Sequence, residues 1–235
     1  MLKEKLEWIM GIFMLLIVGM VATNQSVVPS GSGQVTGKTK SFVVVLDAGH
    51  GGSDPGKVGV NQCLEKDINL SIVKKLKTFL EASDVEVILT REDDKGLYSD
   101  SDSRKKMADM NRRCEIIKET DPNLVVSIHQ NSYHQEAIKG AQVFYYKDSE
   151  KGKILADTIQ ERFTYVLGDE NRRVAKANNN YYLLLHVPCP IVIVECGFLS
   201  NWEEAGKLCD ETYQERVAWT IHMGIMEYLN GSEIR

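Results

Sequence analysis

The chain has 235 residues, which is enough for one good-sized domain with an appendage. Its composition is that of a folded protein. Its net charge of −5, without a dense run of lysine or arginine, argues against a nucleic-acid binder. The five cysteines contain no C-x-x-C pair, so neither a structural zinc ribbon nor a disulfide framework is expected. We expect mostly buried, small apolar cysteines, although one pair could form outside the cytoplasm.

The N-terminal segment has the pattern of a signal peptide or signal anchor. Residues 8–23 carry no charge and follow Lys3 and Lys5. No convincing small-x-small cleavage site follows, so an uncleaved anchor is favoured, with cleavage as the alternative. The positive-inside rule then places the rest of the chain outside the cytoplasm. We therefore divide the chain into a signal peptide or membrane anchor (1–23), a flexible linker rich in Ser, Gly, Gln and Thr (24–41) and a catalytic domain (42–235).

The domain alternates apolar runs with helical periodicity. The predicted strands begin with the run at Phe42 and continue with Val85–Leu89, Leu124–His129, Gly140–Tyr146 and Ile191–Phe198. The first predicted helix ends at Glu81 and has Asp67 in its N-terminal cap region. The other predicted helices are Ser101–Glu119, Lys151–Leu167, Trp202–Cys209 and Tyr213–Leu229. This order predicts a single three-layer α/β domain, with a mostly parallel, twisted sheet of about six strands flanked by helices.

Three of the predicted strands end on a group that can bind metal or move protons, namely His50, His129 and Glu195. Glu65 opens the helix after the first strand. If the strands are parallel neighbours, all four side chains meet at one sheet edge. Two imidazoles and one carboxylate match a catalytic zinc with an open position. A second carboxylate is then needed to take a proton from water.

Spacing alone does not decide which glutamate has which role. Glu65 shares a loop with His50, so these two can form a rigid ligand pair. Glu195 follows an apolar strand, a setting that raises the pKa of a carboxyl toward that of a general base. We therefore assign His50, Glu65 and His129 to zinc and Glu195 to proton transfer. Four unrelated polar residues at strand ends are the alternative interpretation.

Other candidate chemistry is weaker. The chain contains no G-x-S-x-G elbow and no phosphate-binding glycine motif. Cys196 could in principle act as a nucleophile, but a cysteine ending a buried strand is more often inert. His222 is expected to pack in the last helix or lie on the surface, His134 lies in a polar loop, and His186 is a candidate for the cleft wall.

Several ordered motifs between Phe42 and Leu229 resemble one known family. The matching pieces are residues 46–52, Glu65 with residues 69–70, residues 89–91, Arg104 with Asn111, residues 127–131 and residues 194–201. They resemble the zinc-dependent N-acetylmuramoyl-L-alanine amidases (amidase_3) of bacterial cell walls. The resemblance implies His50, Glu65 and His129 as Zn²⁺ ligands, Glu195 as the catalytic glutamate, and Asn131 and Arg91 on the substrate side or behind the ligands.

The reaction so implied is hydrolysis of the amide between N-acetylmuramic acid and L-alanine in peptidoglycan. The predicted combination of an N-terminal anchor with one catalytic domain, and the segment 175–178, resemble the germination-specific sporulation amidases. That subgroup implies removal of stem peptides for muramic δ-lactam formation in the spore cortex. It also implies an extracytoplasmic location, with the space between forespore and mother cell as a candidate, and an accessory activating protein.

Two alternatives stay open at this point. A zinc carboxypeptidase acting on stem peptides would share the metal chemistry and would need a cation for the terminal carboxylate, for which Arg91, Arg172 or Arg173 are available. A non-catalytic wall-binding or regulatory domain would keep the fold without turnover. Retention of all four polar groups favours an active enzyme.

Overall fold

A computed structural model describes residues 42–168 and 171–232 of the chain. The predicted anchor and the linker, residues 1–41, lie outside this range. The strands are β1 (Val43–Ala48), β2 (Glu86–Leu89), β3 (Leu124–Asn131), β4 (Gln142–Tyr145), β5 (Lys176–Ala177) and β6 (Ile191–Phe198). The helices are α1 (Glu65–Glu81), α2 (Lys105–Thr120), α3 (Glu150–Leu167), α4 (Tyr182–His186), α5 (Trp202–Leu208) and α6 (Glu211–Ser232). Among the residues described, no helix is both long enough and apolar enough to cross a bilayer.

The six strands form one sheet in the order β2-β1-β3-β6-β4-β5. All neighbours are parallel except β4 and β6, which are antiparallel. The predicted mostly parallel α/β sheet is thus confirmed. Because β1, β3 and β6 are parallel neighbours, their carboxyl ends lie side by side at one edge. In the register, His129 of β3 is the partner of Glu195 of β6.

Both faces of the sheet are covered, which gives the predicted three layers. Alternate residues of β1 enter different cores: Val44 and Leu46 belong to the core that includes residues of α1, α3 and α6, whereas Val45 belongs to the core that includes residues of α2 and α4. Side chains of a strand alternate between faces, so an uninterrupted apolar run is what a strand covered on both faces requires.

Several predicted boundaries were wrong by a few residues. Helix α1 begins at Glu65 after Leu64, which makes no side-chain cap, so Asp67 lies in the first turn. Helix α2 begins at Lys105 and not at Ser101, because residues 99–104 form turns. Strand β5 was not predicted, since its two residues are exposed and carry no apolar signal.

One pair of cysteines is bonded, and the other three are free. Cys63 and Cys209 form a disulfide across 146 residues of sequence. Cys114 and Cys196 are buried, as expected, and Cys189 is half-buried. The disulfide joins the loop before α1 to the end of α5. It matches the one exception allowed above, a pair formed outside the cytoplasm, where disulfides persist.

Candidate active site

His50, Glu65 and His129 converge at the carboxyl edge of the sheet. One potential ligand atom from each lies within 4.8 Å of the other two. Glu65 Oε1 is 3.1 Å from His50 Nε2 and 3.0 Å from His129 Nδ1. His50 follows β1, His129 lies near the end of β3, and Glu65 is the first residue of α1. The parallel order of the strands therefore brings together three residues that are up to 79 positions apart in sequence.

The backbone at His50 is held in an unusual conformation. Its φ of 63° lies in the left-handed region, which costs free energy for a residue with a side chain. Arg113 offsets this cost by donating to the His50 carbonyl at 2.7 Å. Asp54 Oδ2 lies 2.9 Å from His50 Nδ1. An imidazole that donates from Nδ1 to a carboxylate keeps its Nε2 lone pair free, and Nε2 is the atom that faces Glu65.

Glu65 is 2% exposed, and both of its oxygens accept backbone hydrogen bonds. Lys57 donates to Oε2 at 2.7 Å, and Gln130 donates to Oε1 at 3.1 Å. Burial alone would raise the pKa of this carboxyl, but hydrogen bonds and charge from His129 and His50 outweigh burial and hold the pKa well below its usual range. Glu65 is therefore ionised at neutral pH, as a metal ligand must be.

Glu195 differs from Glu65 in its electrostatic setting. It is 6% exposed, and burial raises the pKa of its carboxyl, with the charge of Glu65 adding to the effect. Tyr181 donates to Oε1 at 3.1 Å. Oε2 is buried and has no hydrogen-bond partner within residues 42–168 and 171–232. A carboxylate with a raised pKa and one free oxygen suits proton transfer.

Comparison with known proteins decides the family. The family model for N-acetylmuramoyl-L-alanine amidase (Amidase_3) matches residues 44–227. The chain belongs to the N-acetylmuramoyl-L-alanine amidase family. The germination-specific N-acetylmuramoyl-L-alanine amidase of Bacillus subtilis (strain 168) is 36% identical over 189 residues, 79% of this chain and 79% of that protein.

Solved structures agree with this membership. The CwlD amidase from Clostridioides difficile, determined in complex with the GerS lipoprotein, is 45% identical with a TM-score of 0.79, covering 81% of this chain and 99% of that chain. A second solved structure is the catalytic domain of CwlV, an N-acetylmuramoyl-L-alanine amidase from Bacillus (Paenibacillus) polymyxa var. colistinus. It is 34% identical with a TM-score of 0.70, and the match covers 80% of this chain and 98% of that chain. The predicted family is confirmed.

A buried network of charged and polar side chains holds the backbone at the candidate ligand His50 of this amidase. Asp47 accepts from Arg113 (2.5 Å), Thr90 (2.7 Å) and Ser127 (2.5 Å). Burial would raise the Asp47 pKa, but Arg113 and the two hydroxyls lower it to about 2. Arg113 is thereby fixed between Asp47 and the His50 carbonyl. Sequence reasoning missed Arg113 and Asp54, although a carboxylate four residues after a candidate ligand histidine was a usable signal.

Of the two positions that the resemblance implied for Arg91, on the substrate side or behind the ligands, the structure favours the second. Arg91 is 4% exposed and donates to the carbonyls of Ala48, Gly49, Lys66 and Asp93. It therefore fastens the loop that carries His50 to α1 from behind. Four of its five N–H donors bind carbonyl oxygens, and the side chain does not line the cleft, so Arg91 is not positioned to hold a substrate.

Asn131, the other predicted substrate-side residue, lies at the end of β3 and lines a cleft of about 790 Å³. The cleft also contains His50, Glu65, His129 and Glu195. His186 and His134 are exposed outside the cleft lining, and His222 is buried against Ser83. Cys196 is fully buried, and burial raises the pKa of its thiol, so it is not an activated nucleophile.

Proposed function

We propose that this amidase is zinc-dependent and removes stem peptides from peptidoglycan in the spore cortex. One observation carries the zinc assignment: His50, Glu65 and His129 place their ligand atoms within 4.8 Å of one another beside the buried Glu195. The 36% identity to a germination-specific amidase and the 45% identity to CwlD support the cortex role.

The side chains fit a zinc ion by their chemistry. Two imidazoles and one carboxylate form the ligand set of many catalytic zinc sites, which leave a fourth position open. Asp54 orients His50, and the Lys57 and Gln130 amides orient Glu65, so the ligands are arranged before metal binds. Bound Zn²⁺ supplies polarisation of the scissile carbonyl and acidification of a water molecule.

The protein's own groups perform the proton transfers. Glu195 accepts a proton from the attacking water at Oε2, the oxygen left free by Tyr181. Glu195 then returns the proton to the nitrogen of L-alanine, which departs as an amine. The C–N bond breaks, and the muramic lactyl group keeps a carboxylate. Asn131 is proposed to bind the substrate from the adjoining strand end.

The carboxypeptidase alternative has no support from its proposed cation. Arg91 is buried against carbonyls, and Arg173 donates to the Lys139 carbonyl and packs over Phe198. Neither they nor Arg172 line the cleft.

Product analysis tests the proposal. The full chain with stoichiometric Zn²⁺ is incubated with purified peptidoglycan beside Glu195→Gln, and the products are identified by mass spectrometry. We expect free stem peptides with an L-alanine N-terminus, and a rate at least about 100-fold lower for the variant with its zinc content unchanged. Release of only a terminal amino acid would indicate a carboxypeptidase.

The cellular role needs separate tests. CwlD was solved in complex with the GerS lipoprotein, and we propose that this amidase acts outside the cytoplasm, is attached to the membrane through residues 1–23 and is stimulated by an accessory protein. Spores lacking this chain are expected to have cortex without muramic δ-lactam, measured by muropeptide analysis. A cleavage rate of the zinc-loaded protein that rises in spore extract would support the accessory protein, and normal cortex in the mutant would refute the sporulation role.

A further inference from the structure

We infer that Lys106 and Lys57 form a subsite for the free α-carboxylate of the second stem-peptide residue, a γ-linked D-glutamate. The subsite would make this amidase selective for acidic over amidated stem peptides. The inference rests on the proposed function, because it concerns the peptide on the leaving side of the scissile amide.

The catalytic cleft continues beyond the candidate ligands along helix α2. A groove of about 540 Å³ adjoins it, and Lys105, Lys106, Met110 and Tyr182 line both spaces. The groove runs over the N-terminal half of α2, where Met107 is 45% exposed. Only Arg113, Cys114 and Ile117 of this helix are buried. The first two turns of α2 are therefore free to contact a substrate that extends out of the cleft.

The two lysines proposed for the subsite lack a close partner for their amino groups. Lys106 and Lys57 line the cleft, and neither amino group has an ion pair or a hydrogen bond in the described part of the chain. Lys105 differs, because it pairs with Asp100 at 3.4 Å and lies over the Tyr98 ring. Lys106 and Asp54 line the same cleft, and the positive charge of Lys106 contributes to lowering the pKa of Asp54.

The position of Lys57 ties the subsite to the reaction centre. Its backbone amide donates to Glu65 Oε2 at 2.7 Å, so its side chain leaves the backbone next to a candidate zinc ligand. A peptide residue spans about 3.5 Å when extended, so the second residue of the leaving peptide lies within a few ångströms of the scissile nitrogen. A carboxylate there falls within the reach of a lysine that starts from the cleft wall.

The acidic residues of the cleft form no ion pair with these lysines in the described part of the chain: the charge of Lys106 acts on Asp54 without an ion pair, and Glu195 is buried with a raised pKa. Asp47 and Asp109 accept from Arg113, and Asp54 accepts from the Gly56 amide and contacts His50. Glu65 is held by histidines and backbone amides. Each of these carboxylates has its own partner, so the lysines are left to bind an incoming anion.

Two muropeptides that differ at one group test the inference. One carries D-glutamate with its free α-carboxylate, and the other carries the α-carboxamide. For the zinc-loaded full chain we expect kcat/KM to be about tenfold higher for the acid, as a charge-assisted hydrogen bond provides. In Lys106→Met and Lys57→Met the ratio of kcat/KM for the acid to that for the amide should fall to within about twofold, because KM for the acid rises while kcat is unchanged. Lys151→Met, an exposed lysine on α3, is the matched control and should keep the preference.

Binding separates this inference from the proposed function. Calorimetry with Glu195→Gln and the two intact muropeptides should show the same preference without turnover, and Lys106→Met in that background should abolish it. Equal kcat/KM for both substrates in the wild-type chain would overturn the subsite and leave the amidase intact. A preference that survives both lysine substitutions would overturn it as well. Failure to cleave either substrate would count against the proposed function itself.

Discussion

Gly49 provides no metal ligand, but the absence of its side chain leaves the space that the His129 ring occupies beside Glu65. A Cβ atom at this position would lie 2.2 Å from His129 Cε1 and 2.4 Å from its Nε2, far inside van der Waals contact. The role of Gly49 is therefore to leave space for an imidazole. Gly56 has a similar role, since a Cβ there would approach Glu65 Oε2 at 2.6 Å.

Gly49→Ala should push the His129 ring away from Glu65. We expect zinc affinity to fall by about 10- to 100-fold, the range seen when ligand orientation is disturbed, with the fold retained. Competition with a fluorescent chelator measures the affinity. Gly206→Ala is the control, because a Cβ at Gly206 meets nothing within 4 Å. Equal zinc affinity in both variants would contradict the role given to Gly49.

Tyr181 sets the position and the proton affinity of Glu195. The hydrogen bond from Tyr181 to Oε1 lowers the pKa of Glu195. Tyr181→Phe removes this hydrogen bond, so the Glu195 pKa, already raised by burial, should rise further. A general base must be ionised, and the acid limb of the kcat profile should therefore move to higher pH. We expect kcat to fall by about tenfold with zinc content unchanged.

The control for this substitution is Tyr165→Phe, which alters an exposed tyrosine on α3. Its pH profile should match that of the wild-type chain. An unchanged acid limb in Tyr181→Phe would show that the hydroxyl does not act on Glu195.

At the scale of elements, the loop between β1 and α1 is the part of the fold that the site depends on most. It carries His50, Asp54, Lys57 and Glu65, and it is fastened from three sides. Arg113 of α2 and Arg91 hold its carbonyls. The Cys63–Cys209 disulfide joins its end to α5, two residues before Glu65. A ligand-bearing loop that is fixed at both ends loses little entropy when metal binds.

Removing the disulfide should destabilise the whole domain. Cys63→Ser with Cys209→Ser is expected to lower the free energy of unfolding by about 3 kcal/mol, because a cross-link across a long loop restricts the unfolded chain. For a domain of this size the melting temperature should fall by roughly 6–12 °C. Reductant should produce the same loss in the wild-type chain and none in the double variant. A wild-type melting temperature that is insensitive to reductant would refute the structural role of this bond.

At the scale of the whole molecule, the site exists only because the sheet places β1, β3 and β6 side by side. The strands bring His129 and Glu195 into register, and burial of Glu195 at this edge raises its pKa. Metal binding should therefore couple to folding and to pH.

Zinc should leave the amidase on acidification. Burial lowers the His50 pKa, but Glu65 and Asp54 outweigh burial and raise it above its ordinary value. Since zinc needs neutral imidazole, apparent affinity should fall by about tenfold per pH unit for each histidine once pH drops below its pKa. Equilibrium dialysis with metal analysis between pH 8 and 4, with circular dichroism to confirm folding, measures this. Full zinc retention at pH 4 would contradict the assigned ligands.

The folding stability of the metal-free chain should depend on pH in the opposite direction to zinc affinity: it should fall as the pH rises. A raised folded pKa means that protonated His50 stabilises the fold below its unfolded pKa of about 6.5, and this contribution is lost as pH rises through the folded value. Chelator should therefore lower the melting temperature more at pH 8.5 than at pH 6.

Local sequence patterns were sufficient to predict the α/β class, most of the strands and helices, and the group of four polar residues at the sheet edge. Apolar runs that end on His50, His129 and Glu195 are local signals, and parallel strands that end at one edge follow from the strand–helix order. The family motifs are also contiguous in sequence, and the comparisons confirmed that assignment.

Contacts between distant positions could not be predicted from these patterns and follow from the packing of the folded chain. Nothing local pairs Cys63 with Cys209, turns Arg91 inward onto carbonyls, or sets Tyr181 against Glu195. Nor does composition show that Lys106 and Lys57 are unpaired in one cleft. Hydrophobic periodicity reports which face of an element is buried, whereas these roles depend on which side chains approach within hydrogen-bonding distance once all elements have packed.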